Sequence, residues 1–401
     1  MRRVTSAERG APRLRVGAGG VTWTIPLTDV VISEEDVEAV LDCLRSGWLT
    51  SGPRTQAFEA ALSEHLGGGH AVAVSSGTAA LHLACRAIGL GPGDEAIVPA
   101  VTFVATAHAV RYCGAEPVLC DVVGGGDLNL DVEDVARRIG PRTCAVLAVH
   151  LCGYAAEVEA LRALCDERGI ALIEDTAQAI DARTTSGRLA GTVGHLGCFS
   201  FFSKKQLAVG EGGLVLCADE EPAARCRSLR SHAMTSGTWD RHRGYADTYD
   251  IVDIGFNYRI DEGRAALGLS RLPRLEADIE ARREHVRAYR ERLAGVEGIA
   301  LCWSDEDVER SSHFAFPVLL PDRSSRDRFR EMLAAHGIQT TVYEALTRFS
   351  EFAGDGRPAS DVPRAEEMAD RHVALPLWAQ MSAEQLDAVV AAVREAAGAA
   401  V

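Results

Sequence analysis

From about Ala71 onward, short apolar runs alternate with segments whose apolar residues recur every three or four positions. Parallel βαβ units read this way. A strand buried on both faces is apolar throughout, while the helix that covers it is apolar along one stripe. Strands are predicted at Ala71–Val74, Ala96–Val98, Pro117–Val122, Cys144–Val149 and Ala171–Glu174. Helices are predicted over Thr78–Ile88, Phe103–Tyr112, Asp131–Arg138 and Val158–Arg168. Cys198–Phe202 and Leu214–Cys217 read as two closely spaced strands around a Gly-rich turn. After Arg264 the texture changes. A long polar-rich amphipathic helix over about Leu272–Leu293 leads to a strand at Phe314–Leu319 and helices at Arg326–Ala335 and Ala383–Ala396. The pattern predicts an α/β large domain over 25–270 and a smaller α+β domain over 271–401. Residues 1–24 read as a mobile arm, because its basic start (Arg2, Arg3, Arg9, Arg13, Arg15) runs into glycines instead of an apolar stretch.

Size and charge narrow the class. A chain of 401 residues exceeds one ordinary domain, and 47% hydrophobic residues supply a large core. The net charge of −15 argues against a nucleic-acid partner, since a phosphate backbone requires a basic face. It leaves room for a small phosphorylated ligand, which needs only a few local donors. The eleven cysteines form no C-x-x-C pair and no metal-finger spacing, so no metal is expected and the thiols fit a reducing cytoplasm. No apolar run is long enough for a membrane span, and a soluble protein is expected.

Three stretches carry chemistry. Ser75-Ser76-Gly77-Thr78-Ala79-Ala80 follows a predicted strand and opens a helix, where free backbone N–H groups and hydroxyls suit a phosphate. A plain helix cap would need only one of these residues. Glu174-Asp175-Thr176-Ala177-Gln178 lies at the carboxyl end of an apolar strand, the edge of an open α/β sheet where ligands collect. A carboxylate there can pair with a protonated ring nitrogen; on its own it reads more readily as a helix cap. Phe199-Ser200-Phe201-Phe202-Ser203-Lys204-Lys205 precedes Gly210-Glu211-Gly212-Gly213, and a lysine desolvated among aromatics becomes a nucleophilic amine. The bland alternative is a solvated lysine pair on a loop. A phosphate cradle, a strand-end carboxylate and a lysine thirty residues later together form the constellation that pyridoxal 5'-phosphate (PLP) requires.

With these motifs in place, the sequence resembles the DegT/DnrJ/StrS family of sugar aminotransferases, over about Val31–Ala396. Further landmarks are Gly47-Trp48-Leu49-Thr50-Ser51-Gly52-Pro53, Gly91-Pro92-Gly93-Asp94-Glu95 and Gly255-Phe256-Asn257-Tyr258-Arg259. The resemblance implies the aspartate-aminotransferase fold (fold type I), with a mostly parallel seven-stranded sheet in the large domain. It also chooses the lysine. The family's Schiff-base lysine stands four residues after the second aromatic of F-S-F and five before Gly-Glu-Gly-Gly, which gives Lys205 and leaves Lys204 beside it. By the same resemblance Asp175 pairs with the pyridinium nitrogen, Gln178 approaches the phenolic oxygen and Phe103 stacks on the ring. Gly77, Thr78 and Ser200 bind the phosphate. Asn257 reaches the phosphate of a neighbouring subunit with Arg259 close by, which implies a homodimer with shared active sites. Thr50 and Arg259 fall on the substrate side.

The resemblance further implies that L-glutamate donates its amino group, with Lys205 moving the proton, and that a nucleotide-linked keto-deoxysugar receives it. A dTDP-4-keto-6-deoxyhexose is the acceptor expected. The segment Trp239-Asp240-Arg241-His242-Arg243 offers a stacking ring and two guanidinium groups for the nucleotide, against the alternative of a solvated loop. Three departures from the family pattern bear on the substrate: Tyr343-Glu344 with Thr347, Arg230-Ser231-His232-Ala233, and Arg264. The Tyr343/Thr347 region keeps open a cyclitol aminotransferase acting on a keto-inositol, with glutamine or glutamate as donor. A PLP sugar dehydratase of the same fold carries His where Lys205 stands. A PLP-binding regulator carries a DNA-binding domain for which residues 1–24 are too short.

Overall fold

The computed structural model describes residues 15–16, 22–244, 247–353 and 361–400. Most of the N-terminal segment expected as an arm lies outside these residues; Arg15–Val16 pairs with Thr22–Trp23.

Seven strands form the central sheet: β1 (His70–Val74), β2 (Glu95–Pro99), β3 (Glu116–Cys120), β4 (Thr143–Val149), β5 (Ala171–Asp175), β6 (Leu196–Ser200) and β7 (Gly213–Cys217). Their order is β1-β7-β6-β5-β4-β2-β3. Only β7 runs antiparallel to its neighbours. Each lies on one of the apolar runs of the sequence, because strands covered on both faces are apolar on both. The sheet follows the predicted mostly parallel, seven-stranded form.

Topology gathers the motifs. With β7 antiparallel to both β1 and β6, those two strands share a direction, and their carboxyl ends lie on the same edge as that of β5. The register is tight: Gly213 pairs with Val74 on one side and Ser200 on the other, while Cys198 pairs with Asp175. The phosphate candidates after β1, the carboxylate ending β5 and the lysine loop after β6 are thereby brought to one place.

Helix Gly77–Ala87 is almost wholly buried, between the sheet and the helices Ala105–Tyr112 and Glu220–Leu229. The loop Gly47–Pro53 is fixed from a distance. Glu262 is fully buried and accepts from the N–H groups of Gly52, Arg54 and Thr55, each at 2.8 Å, and from the Thr55 hydroxyl at 2.7 Å. It caps the helix Pro53–His65, whose own cap residue, Gly52, has no side chain to do so. Gly52 has none because a Cβ there would run into the Trp48 indole.

After residue 270 the chain builds a second, antiparallel sheet in the order β8 (Ala300–Leu301), β9 (Phe316–Leu319), β10 (His372–Leu375). Helices Arg323–Ala335 and Ala383–Ala400 pack together on this unit. Ile25 and Leu27 are bonded to it: Gln339 N–H donates to the Ile25 carbonyl at 2.9 Å and Leu377 N–H to that of Leu27 at 3.0 Å. Among the described residues no helix is long and apolar enough to cross a membrane, and no group of His, Cys, Asp and Glu is arranged to hold a metal.

Candidate active site

The helix after β1 begins with Ser76 as its cap, whose hydroxyl accepts the Ala79 N–H at 3.1 Å. The Ala80 N–H starts the helical ladder on the Ser76 carbonyl. The amides of Gly77 and Thr78 come before that ladder and project from the helix start, which makes them anion donors. Gly77 is needed for closeness: a Cβ there would stand 2.8 Å from Ser200 Cβ and 3.2 Å from its hydroxyl. Gly77→Ala is therefore expected to push Ser200 aside and raise the dissociation constant for PLP, roughly ten-fold if one phosphate hydrogen bond is lost; fluorescence titration of the cofactor-free protein measures it.

The Arg259 backbone is held against the end of β1. It bridges Val74, and the preceding Tyr258 carbonyl accepts the Ser75 N–H at 2.8 Å. Its Nη1 is buried with no hydrogen-bond partner. Burial and the nearby Arg230 lower its pKa. A buried guanidinium nitrogen without a hydrogen-bond partner is short of an acceptor. Asn257, two residues away, is exposed, and the segment leading to it exposes Tyr249, Ile251, Val252 and Ile254.

Asp175 ends β5 and is buried. Its Oδ2 accepts from the Thr106 hydroxyl at 2.8 Å and its Oδ1 from the Ala177 N–H at 3.1 Å. Burial pushes its carboxyl above the usual range, against those hydrogen bonds and the attraction of Lys205. The Lys205 amine stands 4.2 Å from the centre of the Phe314 ring. Burial pushes it down to about 8, with Asp175 and Cys152 pulling the other way. Lys204 is exposed.

The lowered amine has a consequence in pH. Only the neutral amine attacks an aldehyde, and it accumulates as pH rises through the folded-state pKa. The rate of PLP capture by the cofactor-free protein is expected to climb with pH, pass half-maximum near pH 8 and level off above it; stopped-flow absorbance follows this.

Gln178 is oriented by its surroundings. Its Oε1 accepts the Cys152 N–H at 2.8 Å, so the amide turns its NH₂ group the other way, as a donor for an oxygen. Phe103 is 67% exposed, an aromatic face with nothing packed on it. The predicted helix from Phe103 starts instead at Ala105, because Phe103 sits in the turn whose carbonyl receives the Thr106 N–H.

Four further residues meet at the site, and of these only Tyr343 is singled out in the sequence, as a departure from the family pattern. Cys152 is held in the left-handed region at φ 58°. Its N–H is bonded to Gln178, and its carbonyl accepts from Phe314 N–H at 3.0 Å and Ala315 N–H at 3.3 Å. Phe314 thereby comes from the smaller unit to lie under the Lys205 amine. Tyr343 stacks on His372 with ring centres 5.6 Å apart and donates its N–H to the His372 ring at 2.7 Å. Thr106 is the fourth. Glu344 and Thr347 are turned elsewhere: Glu344 pairs with Arg348 at 3.2 Å, and the Thr347 hydroxyl bonds Glu366. Arg264 pairs with Asp261 at 3.4 Å.

The segment proposed for a nucleotide meets the Gly47–Pro53 loop. Trp239 and Trp48 pack edge to face at 4.7 Å, and His242 lies 4.6 Å from Trp48. Arg243 stands 5.8 Å from the centre of the Trp239 ring. Arg241 serves its own loop, donating to the Ser236 carbonyl at 2.6 Å and lying over Tyr249 at 4.7 Å. Thr50 is half-buried in the loop, next to Leu49, whose carbonyl accepts the Glu262 N–H at 3.1 Å.

PLP asks a protein for an amine to take its aldehyde, an acid for its ring nitrogen and a dry cradle for its phosphate. Groups of all three kinds lie along one sheet edge here, and the Arg259 Nη1 is buried without a hydrogen-bond partner. Fold and site define a PLP-dependent transferase of fold type I. The DegT/DnrJ/EryC1/StrS aminotransferase family model matches residues 30–394. The chain is 33% identical over 379 residues to the spore coat polysaccharide biosynthesis protein SpsC of Bacillus subtilis (strain 168), covering 92% of this chain and 96% of that protein. Among solved structures, the aminotransferase TlmJ from Streptoalloteichus hindustanus is 34% identical with a TM-score of 0.85, covering 96% of this chain and 99% of that one. DesV of S. venezuelae is 35% identical with a TM-score of 0.84, covering 93% and 98%. The chain belongs to the DegT/DnrJ/EryC1/StrS family of sugar aminotransferases and works with PLP.

Proposed function

We propose that the enzyme moves the amino group of L-glutamate onto the keto carbon of a nucleotide-linked keto-deoxysugar, a dTDP-4-keto-6-deoxyhexose, in amino-sugar biosynthesis. The observation that carries this reading is the Lys205 amine, kept largely desolvated against Phe314 and in the field of Asp175. Bound PLP supplies an electron sink for the carbon that loses its proton. The chain's residues do the rest. Lys205 tethers the cofactor, and once displaced from it takes the proton from the donor's α-carbon. Asp175 keeps the ring nitrogen protonated. Gln178 donates to the phenolic oxygen and Phe103 covers one face of the ring. The Gly77 and Thr78 amides and the Ser200 hydroxyl take the phosphate. Asn257 of the partner subunit completes that cradle, with Arg259 close by, in a cytoplasmic homodimer. The exposed apolar residues Ile251, Val252 and Ile254, next to Asn257, support a subunit contact there.

Thr50, Trp239, Arg241 and Arg243 are assigned to the sugar-nucleotide side. Arg243, which stands 5.8 Å from the centre of the Trp239 ring, is the guanidinium to test. Arg243→Ala is expected to raise the KM for the nucleotide sugar roughly ten-fold, the cost of one charge-assisted contact, and to leave the KM for L-glutamate unchanged.

The experiment has two stages. L-glutamate added alone should shift the visible absorbance of the PLP-loaded enzyme and release 2-oxoglutarate. Adding a dTDP-4-keto-6-deoxyhexose should then restore the starting spectrum and yield an amino sugar. Turnover of a keto-inositol with no turnover of the nucleotide sugar would replace this reading with that of a cyclitol aminotransferase.

A further inference from the structure

Thr106 is fully buried, and its hydroxyl has three oxygens within reach. Asp175 Oδ2 lies at 2.8 Å, Thr102 Oγ1 at 3.1 Å and the Phe103 carbonyl at 3.2 Å. A hydroxyl has one proton to give, so these contacts cannot all be donations. If Asp175 is an anion it can only accept. Thr106 then donates to Asp175, and Thr102 fills the lone pair of Thr106 with its own proton. If Asp175 is protonated the order reverses: the carboxyl donates to Thr106, whose proton turns to the Phe103 carbonyl or to Thr102. The dyad thus has two self-consistent states, one for each charge on Asp175.

The other groups around Asp175 do not duplicate this contact. Its Oδ1 is held by a backbone amide, which donates whatever the charge. The ionisable groups facing it are Lys205, His150 and the Cys198 thiol on β6. The His150 ring is already committed. Its Nδ1 accepts the Ala156 N–H at 3.0 Å, so its Nε2 carries the proton and donates to Glu174 at 2.9 Å. Burial disfavours the Cys198 thiolate. Lys205 must be the neutral amine when it acts as a base, and its nitrogen is engaged elsewhere when it is joined to an aldehyde. During turnover the hydroxyl is the side-chain donor left to Asp175.

We infer that Thr106, backed by Thr102, is a positioning residue that holds Asp175 as the anion required by the ring nitrogen of PLP. This rests on reading the site as a PLP site. A buried carboxylate deprived of its donor retreats toward the neutral form. A neutral Asp175 has no charge with which to keep the pyridine nitrogen protonated. The effect is on the chemical step and on cofactor affinity, and not on the binding of the amino donor.

The test uses the full chain with Thr106→Val, which keeps the shape and removes the hydroxyl, and Thr106→Ser, which keeps the hydroxyl and removes a methyl group. Two quantities are read on each: the dissociation constant for PLP, from titration of the cofactor-free protein, and the rate constant and KM of the single-turnover reaction with L-glutamate. Thr106→Val is expected to weaken PLP binding about ten-fold and slow the single turnover roughly ten- to a hundred-fold, as loss of one hydrogen bond to a buried charge implies, with the glutamate KM unchanged. Thr106→Ser is expected to stay within about three-fold of the parent on both. The inference is overturned if Thr106→Val matches the parent in both measurements. It is equally overturned if Thr106→Ser is as impaired as Thr106→Val, since packing and not the hydroxyl would then be responsible. Failure of the parent protein itself to take up PLP would instead sink the reading of the site.

Discussion

Lys205→Ala is expected to abolish turnover, with a loss on the order of 10⁴-fold or more. A positioned general base alone is worth about 10²–10⁴, and the covalent tether to the cofactor is lost as well. Lys205→Arg should fare no better, because a guanidinium neither forms the bond to an aldehyde nor gives up its proton near neutral pH. Lys204→Ala is the control. Its side chain points to solvent, and activity should be unchanged. Single-turnover absorbance with L-glutamate distinguishes the three variants. Lys204→Ala with the phenotype assigned to Lys205→Ala would show that the wrong lysine of the pair had been chosen.

Asp175→Asn is expected to cost on the order of 10²–10³-fold in kcat, the penalty of removing one partner from a buried charged pair. The amide oxygen still accepts from the Ala177 N–H, and the NH₂ group can donate to the Thr106 hydroxyl, whose own proton turns to the Phe103 carbonyl, so the fold has little reason to change. What disappears is the negative charge. A second readout follows from the same charge. Asp175 raises the Lys205 pKa against the effect of burial, so removing it lowers that pKa further. The midpoint for PLP capture by the cofactor-free variant should fall below the value of about 8 expected of the parent. A midpoint that stays put or rises would show that the two side chains do not feel each other.

The parts of the fold that the sequence announced are those in which burial alone fixes the structure. Strands β1 to β7 are covered on both faces, so Val72–Val74 or Val146–Val149 read as apolar runs with no knowledge of their neighbours. Their ends were less legible. The aromatics Phe201 and Phe202 suggest that β6 continues, yet it stops at Ser200: the Phe202 carbonyl turns to accept the Lys205 N–H at 2.8 Å, and the ring of Phe202 is exposed. Helix Glu34–Ser46 was not read at all. Only Asp36 and Cys43 are buried on it, and Asp36 pairs with Arg271 at 3.4 Å and Arg274 at 2.8 Å. Distant ion pairs anchor that helix, although the sequence did carry a signal for it: Val37, Val40, Leu41 and Leu44 recur at helical spacing after the cap Ser33. β10 depends on partners distant in the sequence: Phe316 and Val318 pair with Leu375 and Val373, 59 and 55 positions away.

The site divides along similar lines. Gly77, Asp175 and Lys205 each occupy a junction with a local signature, a helix start, a strand end or a lysine before a Gly-rich turn. Thr106, Cys152, Phe314 and Tyr343 have none. They converge because β4 and β5 are adjacent and because the smaller unit folds back, with Leu346 N–H bonded to the Ala100 carbonyl at 2.7 Å and Phe314 N–H to that of Cys152 at 3.0 Å. One clue was present for Cys152, which directly follows the end of a parallel strand, the edge where ligands bind. Of the departures from the family pattern, two have a local explanation. Glu344 and Thr347 are engaged with Arg348 and Glu366, so their identity reports the packing of the smaller unit.

Borohydride reduction of the PLP-loaded protein, followed by digestion and mass spectrometry, puts the assignment at risk in one step. A phosphopyridoxyl group is predicted on the ε-amine of residue 205, in the peptide that also carries Phe201 and Phe202. An adduct on Lys204 or elsewhere, or a protein that stays colourless and unmodified after incubation with vitamin B6 phosphate, would contradict it.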